Sequence, residues 1–115
     1  MAAARLNLWL PVVLWAAVIF TFSSIPSLGT GLGTWDVVLR KLAHAVEFGV
    51  LGALLYRALR REPLAILLGS AYAVSDEVHQ AFISGRQGSP LDWLIDTIGV
   101  AGGVLLYARW SGSRA

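Results

Sequence analysis

The sequence predicts an all-α polytopic membrane protein, folded as a compact bundle of four transmembrane helices. Of its 115 residues, 57% are apolar and 14% are charged, and the mean hydropathy is +0.66. Soluble domains carry roughly 25% charged residues. Four apolar stretches approach the ~20 residues that a helix needs to cross a hydrocarbon core of about 30 Å. A chain this short is expected to form one domain, residues 1–115.

The first helix is predicted at about residues 6–22, a continuous apolar stretch. It ends at FSSIPSLGTGLGTW, where Pro26 and three glycines disfavour continued helix. A cleaved signal peptide is the alternative interpretation, because Arg5 precedes an apolar run. No A-x-A-like cleavage site closes that run, so a transmembrane helix is preferred.

The second and third helices are predicted at about residues 37–59 and 64–82. Asp36 is a plausible N-cap for the second helix, which stops at the charged run RRE. Pro63 suits the first position of the third helix, because a proline has no N–H to leave unpaired there.

The fourth helix is predicted at about residues 91–108, behind the sequence SPLD. Ser89 can cap it, Pro90 can occupy its first position, and Asp92 can reach back toward the cap. This arrangement resembles a capping box.

Positive charges in the short loops and tails predict the orientation in the membrane. Of the nine Lys and Arg residues, three lie on one side of the predicted spans, namely Arg40, Lys41 and Arg86. The other six lie on the opposite side, namely Arg5, Arg57, Arg60, Arg61, Arg109 and Arg114. Cytoplasmic loops carry the excess of Lys and Arg, so both termini are expected in the cytoplasm.

Composition also excludes several classes of partner and chemistry. The chain has no cysteine, so disulfides and thiolate ligands or nucleophiles are ruled out. The pI of about 9.5 rests on a net charge of only +2, without a polybasic run that would follow a phosphate backbone. Membrane lipids, and not nucleic acid, are the expected partners.

Ionisable residues fall at a common depth in three of the four predicted helices. The helical rise puts Lys41 about 6 Å and Glu47 about 15 Å into the second helix, with Asp76 about 9 Å and Asp96 about 8 Å into theirs. A charge near the bilayer centre costs on the order of 2.5–3.5 kcal/mol, so such groups normally face one another or a wet cavity. The sequence therefore predicts a polar pocket open to the outside, lined by Lys41, His44, Glu47, Asp76, Glu77, His79, Asp92 and Asp96.

Helical periodicity places these polar groups on packing faces. Three sets of residues each share a face: Lys41, His44 and Phe48; Asp76, His79 and Gln80; and Asp92, Asp96, Gly99 and Gly103. Gly99 and Gly103 form a GxxxG pair, and Gly49, Gly52 and Ala53 offer a second strip of small residues where helix backbones can approach closely.

Structural roles are the alternative for several of these residues. Lys41 can snorkel to the interface, Glu47 can serve as a buried ion-pair partner, and His79 can be a hydrogen-bonding histidine at a helix end. Asp92 and Asp96 repel each other, so a proton, Arg86, Lys41 or a metal ion should offset them. Four of the five tryptophans are interpreted as interfacial anchors, namely Trp9, Trp35, Trp93 and Trp110.

Four motifs occur in the same order as in a known family: FSSIPS, KLAHAVEFGVLG, YAVSDEVHQAFISGR and DWLIDTIGVAGG. Together they span about residues 15–103 and resemble the VanZ-like family. The resemblance implies a small multi-pass protein of the bacterial cell (inner) membrane. The family is named for a member that raises resistance to the lipoglycopeptide teicoplanin. The matching motif positions are Ser23, Ser24, Lys41, His44, Glu47, Ser75, Asp76, Glu77, His79, Gln80, Arg86, Asp92 and Asp96.

The first functional hypothesis is an envelope-binding or envelope-modifying protein whose pocket engages a lipid headgroup, a glycolipid or a lipoglycopeptide. Lys41 and Arg86 would hold an anionic group, and the carboxylates would meet amines or sugar hydroxyls. The candidate binding residues are Lys41, His44, Glu47, Asp76, Glu77, His79, Gln80, Arg86, Asp92 and Asp96.

The second hypothesis is an intramembrane enzyme acting on an envelope lipid, with His44, Glu77 and His79 as candidate acid–base groups. No cofactor is predicted, although a divalent metal is an open variant of this hypothesis, with candidate ligands His44, Glu47, Asp76, His79 and Asp96. A third hypothesis, ion transport, is disfavoured because the inner half of the predicted bundle carries few polar groups. The sequence leaves the oligomeric state open.

Overall fold

A computed structural model describes residues 2–23, 34–82 and 90–113. The described residues form four helices and no strand. They are α1 (Ala2–Ser23), α2 (Thr34–Leu59), α3 (Glu62–Ala81) and α4 (Pro90–Ser113). The predicted all-α class of a polytopic membrane protein is thus confirmed.

Three of the helices are long and apolar enough to cross a membrane. The candidate spans are Arg5–Phe22, Val38–Leu59 and Leu91–Gly112. α3 is not among them, because Glu62, Asp76 and Glu77 interrupt its apolar sequence. The two acids near its C-terminal end point into the bundle, where Asp76 is 2% and Glu77 is 8% exposed.

The helix ends differ from the sequence prediction in several places, and α1 already begins at Ala2 and not at residue 6. α2 begins at Thr34, so Asp36 lies inside the helix and its assignment as the N-cap is wrong. α3 begins at Glu62, which makes Pro63 the second helical residue and not the first. α4 begins at Pro90 as predicted but runs to Ser113, since hydropathy marks only the part that lies in lipid while backbone hydrogen bonds continue beyond it.

A tight turn joins α2 to α3. Arg60 has a φ of 57°, and its N–H donates to the carbonyl of Tyr56 at 2.7 Å, which is the left-handed C-terminal cap seen at many helix ends. The Arg60 side chain donates to Ser111 Oγ of α4 at 3.4 Å. The turn therefore also fixes the position of the C-terminal end of α4.

α2 and α4 are parallel and pack backbone to backbone. A Cβ on Gly99 would lie 2.5 Å from the carbonyl oxygen of Ala45, and one on Gly103 would overlap the carbonyl of Gly49. Gly52 lies against the backbone of Val100 in the same way. The small-residue strips predicted from the sequence thus face each other, and only glycine permits this approach.

Aromatic donors tie the remaining helices together. Tyr72 Oη donates to the carbonyl of Ala16 at 2.6 Å, and Trp15 Nε1 donates to the carbonyl of Glu47 at 2.8 Å. Trp93 Nε1 donates to the carbonyl of Ser70 at 3.2 Å. Trp93 therefore links α4 to α3, a role that its interpretation as an interfacial anchor did not include.

The core is small and the outer surface is apolar. Phe48, Ile19, Val100 and Val104 are fully buried. Large apolar side chains lie on the outside of every helix, for example Leu14, Val46, Leu67 and Leu106. This pattern suits a bundle surrounded by lipid, where burial of apolar groups does not drive helix association.

Candidate functional site

The polar residues gather at one end of the bundle, where α1 and α3 end and α2 and α4 begin. We call this the polar end. Because α2 and α4 both start there and run parallel, successive turns of α2 face successive turns of α4. This arrangement yields two successive polar contacts between the two helices.

The outer contact joins Lys41 to Asp92. Lys41 Nζ donates to Asp92 Oδ1 at 2.5 Å, with the two side chains 35% and 29% exposed. Lys41 thus has an acidic partner on another helix, which snorkelling alone would not require.

The inner contact joins His44 to Asp96, about one helical turn deeper. His44 Nδ1 lies 3.6 Å from Asp96 Oδ1, with side-chain exposures of 20% and 0%. Within the described ranges, neither carboxylate oxygen of Asp96 accepts a hydrogen bond. A buried carboxylate is costly unless a cation, a proton or hydrogen-bond donors compensate it.

Asp76 brings α3 into the same cluster. His44, Asp76 and Asp96 each offer one ligand atom, and these atoms lie within 4.8 Å of one another. Asp76 is 2% exposed. The consecutive helices α2, α3 and α4 therefore place one imidazole and two carboxylates around a common point, which we call the buried triad.

Further acids surround the buried triad. Charges on Glu77, Asp92 and Glu47 act on Asp96 in addition to the charge on Asp76. Glu77 is buried, whereas Glu47 is half-buried on α2. Lys41 contacts this group through Asp92, and Arg40 precedes it on α2. The five acids outnumber these two cations among the described residues, so the polar end is acidic.

His79 faces a different neighbour. Its ring stacks on Phe20 of α1, with centroids 4.1 Å apart and planes inclined by 20°. It does not belong to the buried triad. The sequence prediction assigned no residue of α1 to the site, because α1 carries no ionisable residue in its apolar stretch. Phe20 lies one turn from the end of α1, which places it near the polar end but does not show that it meets His79.

Two predicted site residues lie outside what the structure describes at side-chain level. Gln80 belongs to α3, but its side chain falls outside the described part of the chain, and Arg86 lies in the segment 83–89, which is likewise outside it. Ser23 is the last residue of α1, but its side chain falls outside the described part of the chain. Ser24 lies in the segment 24–33, which is also outside it. The other predicted site residues lie at the polar end.

The fold and this cluster define a helical membrane protein with a buried acid–histidine group at one end. A family model described as VanZ/LLP1 matches residues 6–111. This range contains all of α2 and α3 and all but the outer ends of α1 and α4. The protein belongs to the VanZ/LLP1 family. Searches of the curated proteins and of the solved structures found no match.

Proposed function

We propose that the polar end binds a component of the bacterial cell envelope from the outer face of the cell membrane, with both termini in the cytoplasm. The observation that carries this proposal is the gradient of exposure along two contacts. The Lys41–Asp92 pair is about one-third exposed, whereas the His44–Asp96 pair below it is largely buried. A ligand group can therefore reach the outer pair and then the inner one.

Charge favours a particular ligand chemistry. The described groups at the polar end include five acids, Glu47, Asp76, Glu77, Asp92 and Asp96, near Lys41 and His44. Carboxylates recognise amines and sugar hydroxyls through charge-assisted hydrogen bonds. A lipoglycopeptide carries both kinds of group, and a glycolipid headgroup carries at least the hydroxyls, which supports a role in glycopeptide resistance of the teicoplanin type.

The test is susceptibility to teicoplanin and vancomycin in a Gram-positive host that expresses the protein at matched membrane levels. We expect the wild type to raise resistance to teicoplanin selectively, and Asp96→Asn and Asp76→Asn to abolish that increase. Thr21→Ala, at an exposed position of α1 where the hydroxyl donates to the carbonyl of Ala17 in the same helix, serves as the control and should behave like the wild type. Unchanged susceptibility with well-inserted wild-type protein would contradict the resistance role.

A second candidate function is an intramembrane enzyme acting on an envelope lipid, and the His44–Asp96 contact favours it. An imidazole held by a buried carboxylate is the usual arrangement of a general base and the group that orients it. Mass spectrometry of membrane lipids from cells with wild-type protein or His44→Ala tests this candidate. A lipid species that changes only with the wild type would support it, whereas identical lipid profiles would argue against it.

A further inference from the structure

We propose that the buried triad of His44, Asp76 and Asp96 binds one divalent metal ion of the zinc or manganese type. This inference goes beyond the proposed function, because it concerns the protein before any envelope component binds. It also narrows the five candidate ligands of the sequence prediction to three, since Glu47 and His79 are not part of the triad.

The distances suit a shared ion. Ligand atoms that each lie about 2.0–2.2 Å from a tetrahedral zinc ion are about 3.4 Å from one another. His44 Nδ1 and Asp96 Oδ1 are already 3.6 Å apart, and all three ligand atoms lie within 4.8 Å. The ligand atom of Asp76 therefore needs to move by no more than about 1.4 Å to reach tetrahedral spacing.

Asp96 supplies the strongest reason to expect a cation. Its side chain has no exposed surface, and among the described residues neither of its oxygens accepts a hydrogen bond. A carboxylate in this setting requires a bound proton or a cation. Lys41 is not well placed to compensate it, because its ammonium group contacts Asp92 in the outer pair.

Charge balance favours a divalent ion over a single proton. Two ionised carboxylates and a neutral imidazole carry a charge of −2, which one divalent ion cancels. Glu77 and Glu47 add to the negative potential at Asp96. Without a metal, the same balance needs two protons, one on a carboxylate and the other on the second carboxylate or on His44.

The donor set indicates the class of metal. Imidazole nitrogen suits zinc, iron, nickel and copper, whereas carboxylate oxygen also suits manganese and magnesium. One nitrogen and two oxygens therefore fit zinc or manganese best. Three protein ligands leave at least one open coordination position, as in catalytic zinc sites, and a phosphate or hydroxyl of a lipid headgroup could occupy it.

The experiment uses the full chain purified in detergent, stripped with a chelator and then equilibrated with Zn²⁺, Mn²⁺ or Mg²⁺. Bound metal is counted by elemental analysis after dialysis, and thermal unfolding is followed in parallel. We expect one Zn²⁺ or Mn²⁺ per chain and a rise in Tm that grows with metal concentration, because an ion that binds only the folded state stabilises it.

The variants separate the ligands from other charged groups. Asp96→Asn and His44→Ala should weaken metal binding by about 100-fold or more, since changing a residue that only supports a metal ligand already costs about 10–100-fold. Glu62→Gln removes an equal charge from an exposed position at the opposite end of the bundle. It should retain one ion per chain with an affinity within about threefold of the wild type, because distant exposed charges are largely screened.

Asp96→Asn should also leave the metal-free protein with a cooperative unfolding transition and a Tm at least equal to that of the metal-free wild type, because an amide is neutral without a bound proton or cation. Such a transition shows that the variant folds, so its loss of metal binding can be interpreted. Absence of stoichiometric binding by the wild type, or equal binding by the wild type and both ligand variants, would overturn the proposal. Both results are independent of teicoplanin resistance, so this proposal and the proposed function fail separately.

Discussion

His44 Nδ1 lies 3.6 Å from Asp96 Oδ1. This contact joins α2 and α4, which run parallel because α3 returns the chain between them. The same pairing continues along the bundle, from Lys41 with Asp92 at the polar end to Arg60 with Ser111 at the other. The glycines of α2 and α4 permit it, because they let the two backbones touch. The position of the acid–histidine group thus depends on the close packing of α2 and α4.

Replacing Gly103 by alanine is expected to destabilise the bundle. The new methyl group would overlap the carbonyl of Gly49, which is backbone and cannot rotate away. Overpacking of this kind costs about 1–3 kcal/mol. The measurement is thermal unfolding in detergent.

Gly102→Ala is the matched control, because a Cβ at the adjacent position meets nothing within 4 Å. We expect it to leave the Tm unchanged or slightly higher, since alanine is the better helix former. Equal Tm values for the two variants would show that α2 and α4 are not in backbone contact.

Removing the hydroxyl of Tyr72 is expected to loosen α1 from α3. Tyr72 Oη donates to the carbonyl of Ala16 at 2.6 Å, and a hydrogen bond between membrane helices contributes about 0.6 kcal/mol on average and up to about 1.7 kcal/mol. Tyr72→Phe should lower the unfolding free energy by that amount in a denaturant titration. Tyr107→Phe is the control, because the Tyr107 ring packs on Tyr56 and Trp110 while its hydroxyl makes no hydrogen bond to described residues.

The Lys41–Asp92 pair is expected to show modest energetic coupling. Both side chains are about one-third exposed, and pairs of this kind typically contribute about 0.2–1 kcal/mol. A double-mutant cycle with Lys41→Gln and Asp92→Asn should yield a coupling free energy in that range. Additive effects of the two substitutions would mean that the contact contributes nothing to stability.

The orientation of the bundle can be tested with single cysteines, because the chain contains none of its own. We expect cysteines at Ser27 and Ser84, in the segments that connect to the polar end, to react with an impermeant thiol reagent in intact cells. A cysteine at Glu62, beside the α2–α3 turn at the opposite end, should react only after the cells are opened. The reverse pattern would place the polar end in the cytoplasm.

The sequence predicted the four helices because the length of an apolar stretch and its flanking turn residues are local properties. It also predicted that polar residues of three helices share one depth, since the helical rise per residue is fixed. The small-residue strips were visible for the same reason: spacing along one helix determines which residues share its face.

The sequence did not predict which helix each face meets. Trp15 donates to Glu47 of α2, and Phe20 stacks on His79 of α3, but nothing in the apolar sequence of α1 marks these residues as neighbours of polar groups. Trp93 likewise binds Ser70 inside the bundle, although its position near a helix end is typical of an interfacial anchor.

By itself, then, the sequence determined a membrane-embedded helical fold and the family motifs, and it predicted the position of each ionisable side chain along its helix. Only the tertiary structure decided that His44, Asp76 and Asp96 form a group while His79 faces α1. The physical reason is that depth follows from counting residues along one helix. Neighbours follow from how all four helices rotate and pack, and that is set by contacts such as those of Gly99 and Gly103 with α2.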